Sequence, residues 1–179
     1  MRRRYSIALL FFSLVLLALP RICLAQYQPQ YQYYNEGEII PEKAYEDGNE
    51  YRWGKHIWIW QYDQIGEAVE DGRIIFTFRI ISGRADSYST REGDFRINEK
   101  DIQHWAIVNG ERVAMPYSMF FDGRRALHGW SWEEPFPSDD ERPRVASHGC
   151  VSVDKIVQLY NWAPKGTPVH IRSKRIGHS

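Results

Sequence analysis

Asn109-Gly110 lies between Trp105-Ala106-Ile107-Val108 and Glu111-Arg112-Val113-Ala114-Met115. An Asn-Gly pair flanked by such runs is the strongest short-range signal for a β-hairpin, because both residues tolerate the positive φ that a tight reversal needs. Other runs point the same way. His56-Ile57-Trp58-Ile59-Trp60-Gln61-Tyr62 is rich in β-formers and is followed by a short polar stretch. Glu70-Asp71-Gly72-Arg73 reads as a second hairpin turn, leading into the strong strand Ile74–Ile81, which Ser82-Gly83 stops. Shorter strands are expected at Gly93–Ile97, Ala126–His128 and Pro168–Ile171. One helix is clear: Asp154 is placed to cap it, Ile156, Val157, Leu159 and Tyr160 give it an apolar side, and Pro164-Lys165-Gly166-Thr167 ends it. The expectation is a mainly β domain with one main helix, sandwich or barrel-like.

The first residues carry a different message. Arg2, Arg3 and Arg4 precede an almost unbroken apolar run from Ile7 to Leu19, then Pro20-Arg21 and the small-residue end at Ala25. That is the layout of a secretory signal peptide. The apolar run of about 13 residues is short of the ~20 needed to span a bilayer, although a retained anchor is the competing reading. Cleavage after Ala25 would remove four of 23 basic residues and no acid, leaving 19 against 23 and a net charge near −4. Such a chain is no nucleic-acid binder by charge, and no membrane span is expected after cleavage. Gln26 to about Glu50 is Tyr- and Gln-rich without periodicity and reads as a tether. The expected organisation is a signal peptide over residues 1–25, a linker over 26–54, one domain over 55–173 and a tail over 174–179.

Loss of Cys23 with the leader would leave Cys150 as the single cysteine of an exported protein. A leftover thiol in an oxidising compartment is buried or used. Cys150 ends Ser147-His148-Gly149-Cys150, and His128-Gly129 stands upstream. A thiolate is a strong nucleophile, and a neighbouring imidazole can take the thiol proton. Gly149 permits a sharp turn, and backbone N–H groups at such a turn can face a developing oxyanion. Either His128 or His148 qualifies as the base. The competing readings are a small buried hydrophobe at Cys150, and a zinc site from His128, His148 and Cys150, for which His104 and His170 are further ligands by residue type only. His56 and His178 are expected at the surface.

These residues resemble the L,D-transpeptidases, the YkuD-like catalytic domain. Ser147-His148-Gly149-Cys150 matches the family signature and His128-Gly129 its upstream histidine. Met115-Pro116-Tyr117 with Phe120-Phe121 and Gly123 resembles the segment before that histidine. Ser89-Thr90-Arg91-Glu92-Gly93-Asp94-Phe95-Arg96-Ile97 resembles its Thr-Pro-x-Gly-x-Phe-x-Ile run, with Arg91 in place of proline. The resemblance implies an acyl transfer on peptidoglycan stem peptides in the bacterial envelope or periplasm. Cys150 would attack the third stem residue's carbonyl and expel D-alanine, and an amine acceptor would resolve the acyl-enzyme. His128 would move the proton, the Gly129 carbonyl would orient it, and the N–H groups of Gly149 and Cys150, with that of His148, would cradle the oxyanion. His148 would otherwise be structural or a substrate contact. Tyr117, Trp130, Ser147 and Ser152 are the candidate substrate-binding residues. Ser152 departs from the family, which usually has Arg there and sometimes Asn. No cofactor or metal is implied. Hydrolysis of the same acyl-enzyme, as in a carboxypeptidase or amidase, and a non-catalytic peptidoglycan-binding module are the alternatives.

Gly129 to Ala146 is long and irregular, with Trp130, Trp132 and Phe136. Such loops are often lids, and the same aromatics can equally tack the loop to the core. Asp139, Asp140 and Glu141 read as a solvated patch.

Overall fold

The structure is a computed structural model that describes residues 53–83 and 88–174. The leader expected over residues 1–25, the linker up to residue 52, His178 and the tail beyond residue 174 lie outside the described residues.

The chain runs β1 (Lys55–Trp60), β2 (Ile65–Glu70), β3 (Arg73–Ile81), β4 (Gly93–Arg96), β5 (Glu99–Val108), β6 (Glu111–Asp122), β7 (Arg125–His128), β8 (Val151–Val153), α1 (Ile156–Trp162) and β9 (Pro168–Arg172). Both expected hairpins form. Asp71 and Gly72 have φ of 50° and 73°, and Asn109 and Gly110 have φ of 51° and 85°. That is the left-handed pair that matches the twist of the flanking strands. Glu70 then faces Arg73, and Val108 faces Glu111.

The stretch after Tyr62, polar by composition, forms the almost wholly buried β2. Its acid Glu67 is buried and accepts a hydrogen bond of 3.0 Å from Trp60 Nε1. The expected helix is present but starts differently. Asp154 does not cap it; its carboxylate accepts from the Arg79 backbone N–H and from Arg79 Nε, both at 2.9 Å. Ile156 and Leu159 point into the core, whereas Val157, expected on the apolar side, is exposed.

Among the described residues the nine strands form one sheet in the order β4-β9-β1-β2-β3-β8-β7-β6-β5. The pairs β1–β9 and β7–β8 are parallel. The sheet curls on itself. Asn98, just past β4, donates its N–H to Phe120 O of β6 at 2.7 Å, and the Phe95 and Phe121 rings lie 5.3 Å apart. Between these edges Ile57, Ile59, Phe76, Met119, Leu127 and Leu159 make one core. The result is the expected mainly β, one-helix domain. No helix among the described residues is long and apolar enough to cross a membrane.

Candidate active site

Parallel pairing of β7 with β8 brings distant parts of the chain together. Leu127 lies opposite Val151 and His128 opposite Ser152. Cys150 is the residue immediately before β8. The cysteine turn therefore enters the sheet beside the histidine strand.

His128 is 8 % exposed. Its Nδ1 lies 2.6 Å from the Gly129 carbonyl. A carbonyl only accepts, so Nδ1 carries the proton and Nε2 keeps its lone pair. Burial pushes the His128 pKa down to about 4, against the opposing pull of the Gly129 carbonyl, with a small further lowering from His104. At neutral pH the ring is an uncharged base. Gly129 is itself fixed, donating its N–H to Pro116 O at 2.7 Å. A Cβ there would come within 2.9 Å of Ile156 Cγ2 and 3.3 Å of Pro116 Cβ.

Cys150 is a half-buried free thiol. Burial raises its pKa, while a hydrogen bond from the Ala126 backbone and the charge of Arg125 pull it back. Its hydrogen-bond contact is the Arg124 carbonyl at 3.8 Å rather than the His128 ring. Gly149 has φ of 98°, and a Cβ would lie 3.0 Å from Arg125 Nε, so both backbone and space favour glycine.

The motif residues divide. Ser147 was expected at the substrate; its hydroxyl instead closes the turn, donating to the Cys150 carbonyl and accepting from the Gly149 N–H. That bond, 3.2 Å long, occupies the Gly149 N–H expected in the oxyanion cradle. His148 is exposed and sets its ring edge-on to Tyr88, with centroids 4.5 Å apart. Ser152, expected at the substrate, is 3 % exposed in β8 between β3 and β7. Tyr117, inside β6, has φ of 52°, a strained value for a bulky residue. Its ring contacts Trp132 and Tyr160 at 5.6 and 5.4 Å. Trp130 packs on Phe136 of its own loop, and Arg79 covers Phe136.

Asp139, read as solvated, is exposed yet bridges Arg79 and Arg142 at 3.2 and 2.8 Å. His56, expected at the surface, is 4 % exposed. Its Nδ1 lies 3.0 Å from His170 Nε2, and His170 Nδ1 lies 2.7 Å from Asp94. Among the described residues no three His, Cys, Asp or Glu side chains converge as metal ligands. Thr90, whose hydroxyl donates to the Cys150 carbonyl at 3.3 Å, has no role expected from its residue type, although it stands inside the run Ser89–Ile97. Gln64 and the backbone at Arg124 and Ala126 carried no local signal.

A mostly β domain with a curled sheet and a single helix is the fold of solved L,D-transpeptidases. An L,D-transpeptidase (Yku) from Stackebrandtia nassauensis is 26 % identical with a TM-score of 0.58, the match covering 76 % of this chain and 64 % of that one. An L,D-transpeptidase from Xylanimonas cellulosilytica is 29 % identical with a TM-score of 0.52, covering 72 % and 65 %. This chain thus spans less than two thirds of those two structures. The catalytic domain of the Enterococcus faecium enzyme shares the fold at 21 % identity and a TM-score of 0.54, and is itself covered over 99 % of its length. Comparison with curated protein sequences gave no match. Residues 54–171 match the YkuD family, the L,D-transpeptidase catalytic domain, and the chain belongs to that family.

Proposed function

We propose that the protein is an exported cysteine acyl-transferase that cross-links peptidoglycan stem peptides. The observation that supports it most is the strand pairing that sets His128, with Nε2 unprotonated, beside the strand that Cys150 leads into. A raised thiol pKa beside a lowered imidazole pKa favours a neutral pair over a thiolate–imidazolium pair. The thiol leaves the Arg124 carbonyl and gives its proton to His128 Nε2 as Sγ bonds to the carbonyl carbon of the third stem residue. The Cys150 N–H, with that of His148, faces the oxyanion. His128 then protonates the D-alanine nitrogen as the C–N bond breaks, leaving a thioester. An acceptor amine attacks the thioester, its proton passes through His128, and the thiol is restored with a new amide. No redox step or cofactor enters this balance. The leader over residues 1–25 suits a protein that meets this substrate outside the cytoplasm, in the cell envelope.

The test uses the full chain with disaccharide-tetrapeptide and mass analysis of the products. Free D-alanine with a dimeric muropeptide is expected, and Cys150→Ala removes both while keeping the wild-type melting temperature. Tripeptide as the sole product would reassign the enzyme as a carboxypeptidase. Turnover by folded Cys150→Ala would sink the cysteine mechanism.

A further inference from the structure

The cysteine turn is anchored from outside its own motif. Gln64, in the turn between β1 and β2, is 7 % exposed and has φ of 54°. Its side-chain oxygen accepts the Ser82 N–H at 3.0 Å. Its nitrogen donates to Ser82 Oγ at 2.6 Å and to the Gln61 carbonyl at 2.5 Å, so both amide hydrogens are engaged. Its own carbonyl accepts from Ile80 N at 3.0 Å and from Arg142 Nη1 at 3.1 Å. Holding both the N–H and the hydroxyl of Ser82 fixes that residue where β3 ends.

From there two short routes lead to the nucleophile. The Ser82 carbonyl accepts the Ser147 N–H at 3.2 Å, and the Ser147 hydroxyl donates to the Cys150 carbonyl. The next residue, Gly83, donates its N–H to Thr90 Oγ1 at 2.9 Å, and that hydroxyl donates to the same Cys150 carbonyl at 3.3 Å. Each hydroxyl uses its one hydrogen on Cys150 and accepts elsewhere, so the two routes are mutually consistent. A carbonyl held by two donors fixes the Cys150–Val151 peptide, from whose Cα the thiol projects.

We propose that Gln64 is a positioning residue for the nucleophile, acting through Ser82 to hold the cysteine turn in register with the histidine strand. This rests on the acyl-transfer reading above. Acylation needs thiol, backbone donors and base aligned together, and a misplacement of ~1 Å can cost about 100-fold in rate. Alkylation by iodoacetamide needs the thiol alone.

The test compares wild type, Gln64→Met, Ser82→Ala and the core variant Phe76→Leu in the full chain. Acylation by donor tetrapeptide and alkylation of the peptide bearing Cys150 are both followed by mass, so Cys23 does not interfere. Gln64→Met is expected to slow acylation per folded molecule by about 100-fold. Its Cys150 alkylation becomes faster, with a pH midpoint moved down toward the ordinary 9.0 as water reaches the thiol. Ser82→Ala shifts both readings the same way by less, and covers the case in which Gln64→Met fails to fold. Phe76→Leu lowers the melting temperature and leaves acylation per folded molecule unchanged. Wild-type acylation in Gln64→Met and Ser82→Ala, or equal slowing in Phe76→Leu, overturns the proposal. If wild type alkylates but never acylates, the acyl-transfer reading fails by itself. The clamp then stands on the shifted alkylation midpoint in Gln64→Met, and falls without that shift.

Discussion

The imidazole of His128 loses its water on folding, and a neutral ring tolerates that loss better than a cation. Its pKa near 4 in the folded chain, against 6.5 for an ordinary histidine, has a consequence for stability. Between those values the unfolded chain takes up a proton that the folded chain refuses. Stability is therefore complete above about pH 6.5 and falls as acid is added toward pH 4. His170, also pushed down to about 4 by burial, adds to the same slope. Melting temperatures measured from pH 4.5 to 7.5 should drop below pH 6.5, and His128→Gln should flatten part of that drop. Equal slopes in the two proteins would count against a buried neutral His128. Cys150 and His128 were legible because a thiol and an imidazole next to glycines are chemically conspicuous. Gln64 was not, since its role depends on Ser82 arriving beside it. His56 was misread because a histidine's burial is decided by its partners, here His170 and the Trp53 carbonyl, each 3.0 Å away.

At the scale of single elements, hairpins were readable and caps were not. The turns at Asp71-Gly72 and Asn109-Gly110 are decided by φ preferences of the residues themselves. Asp154, in contrast, had two possible uses, and the edge of β3 won over the helix N-terminus. Two charge-assisted bonds to Arg79 outweigh one cap bond, since hydrogen bonds to charged groups contribute about 1.5–3 kcal/mol each. Asp154→Ala is expected to destabilise the domain by about 2 kcal/mol, read by denaturant unfolding, with the helix content of the native state unchanged. A loss of helical signal would instead restore the capping role. β2 escaped notice because Gly66, Glu67 and Glu70 make it look polar; Glu67 is tolerated inside because Trp60 Nε1 satisfies it. β8 has three residues and exists only through its neighbours β3 and β7.

Across the whole domain, the seating of α1 depends on side chains of the sheet core. Phe76 of β3 is 2 % exposed, meets Trp162 of α1 edge-on at 5.8 Å and lies 6.1 Å from Phe78. Phe76→Ala should cost about 3–5 kcal/mol in denaturant unfolding, from lost transfer energy and the cavity left behind. A loss below about 1 kcal/mol would mean that the core collapses around the gap and that α1 does not rely on it. The two parallel pairs, β1 with β9 and β7 with β8, join segments far apart in sequence and set where the site forms. Parallel neighbours need long crossovers, and the β7–β8 crossover is the aromatic loop pinned by Arg142 to Gln64 and Asp139.

What is local was already settled in the amino-acid sequence: strand runs by composition, hairpins by φ preference, the helix by spacing, and the candidate cysteine and histidine by their chemistry and their likeness to a family. Tertiary structure alone decided which serine closes the turn, that Ser152 lies inside the sheet, that His56 is buried, and which tautomer His128 adopts. Those outcomes follow from pairings between residues distant in the chain. A pairing energy exists only once both partners have been brought together, so no window of sequence contains it.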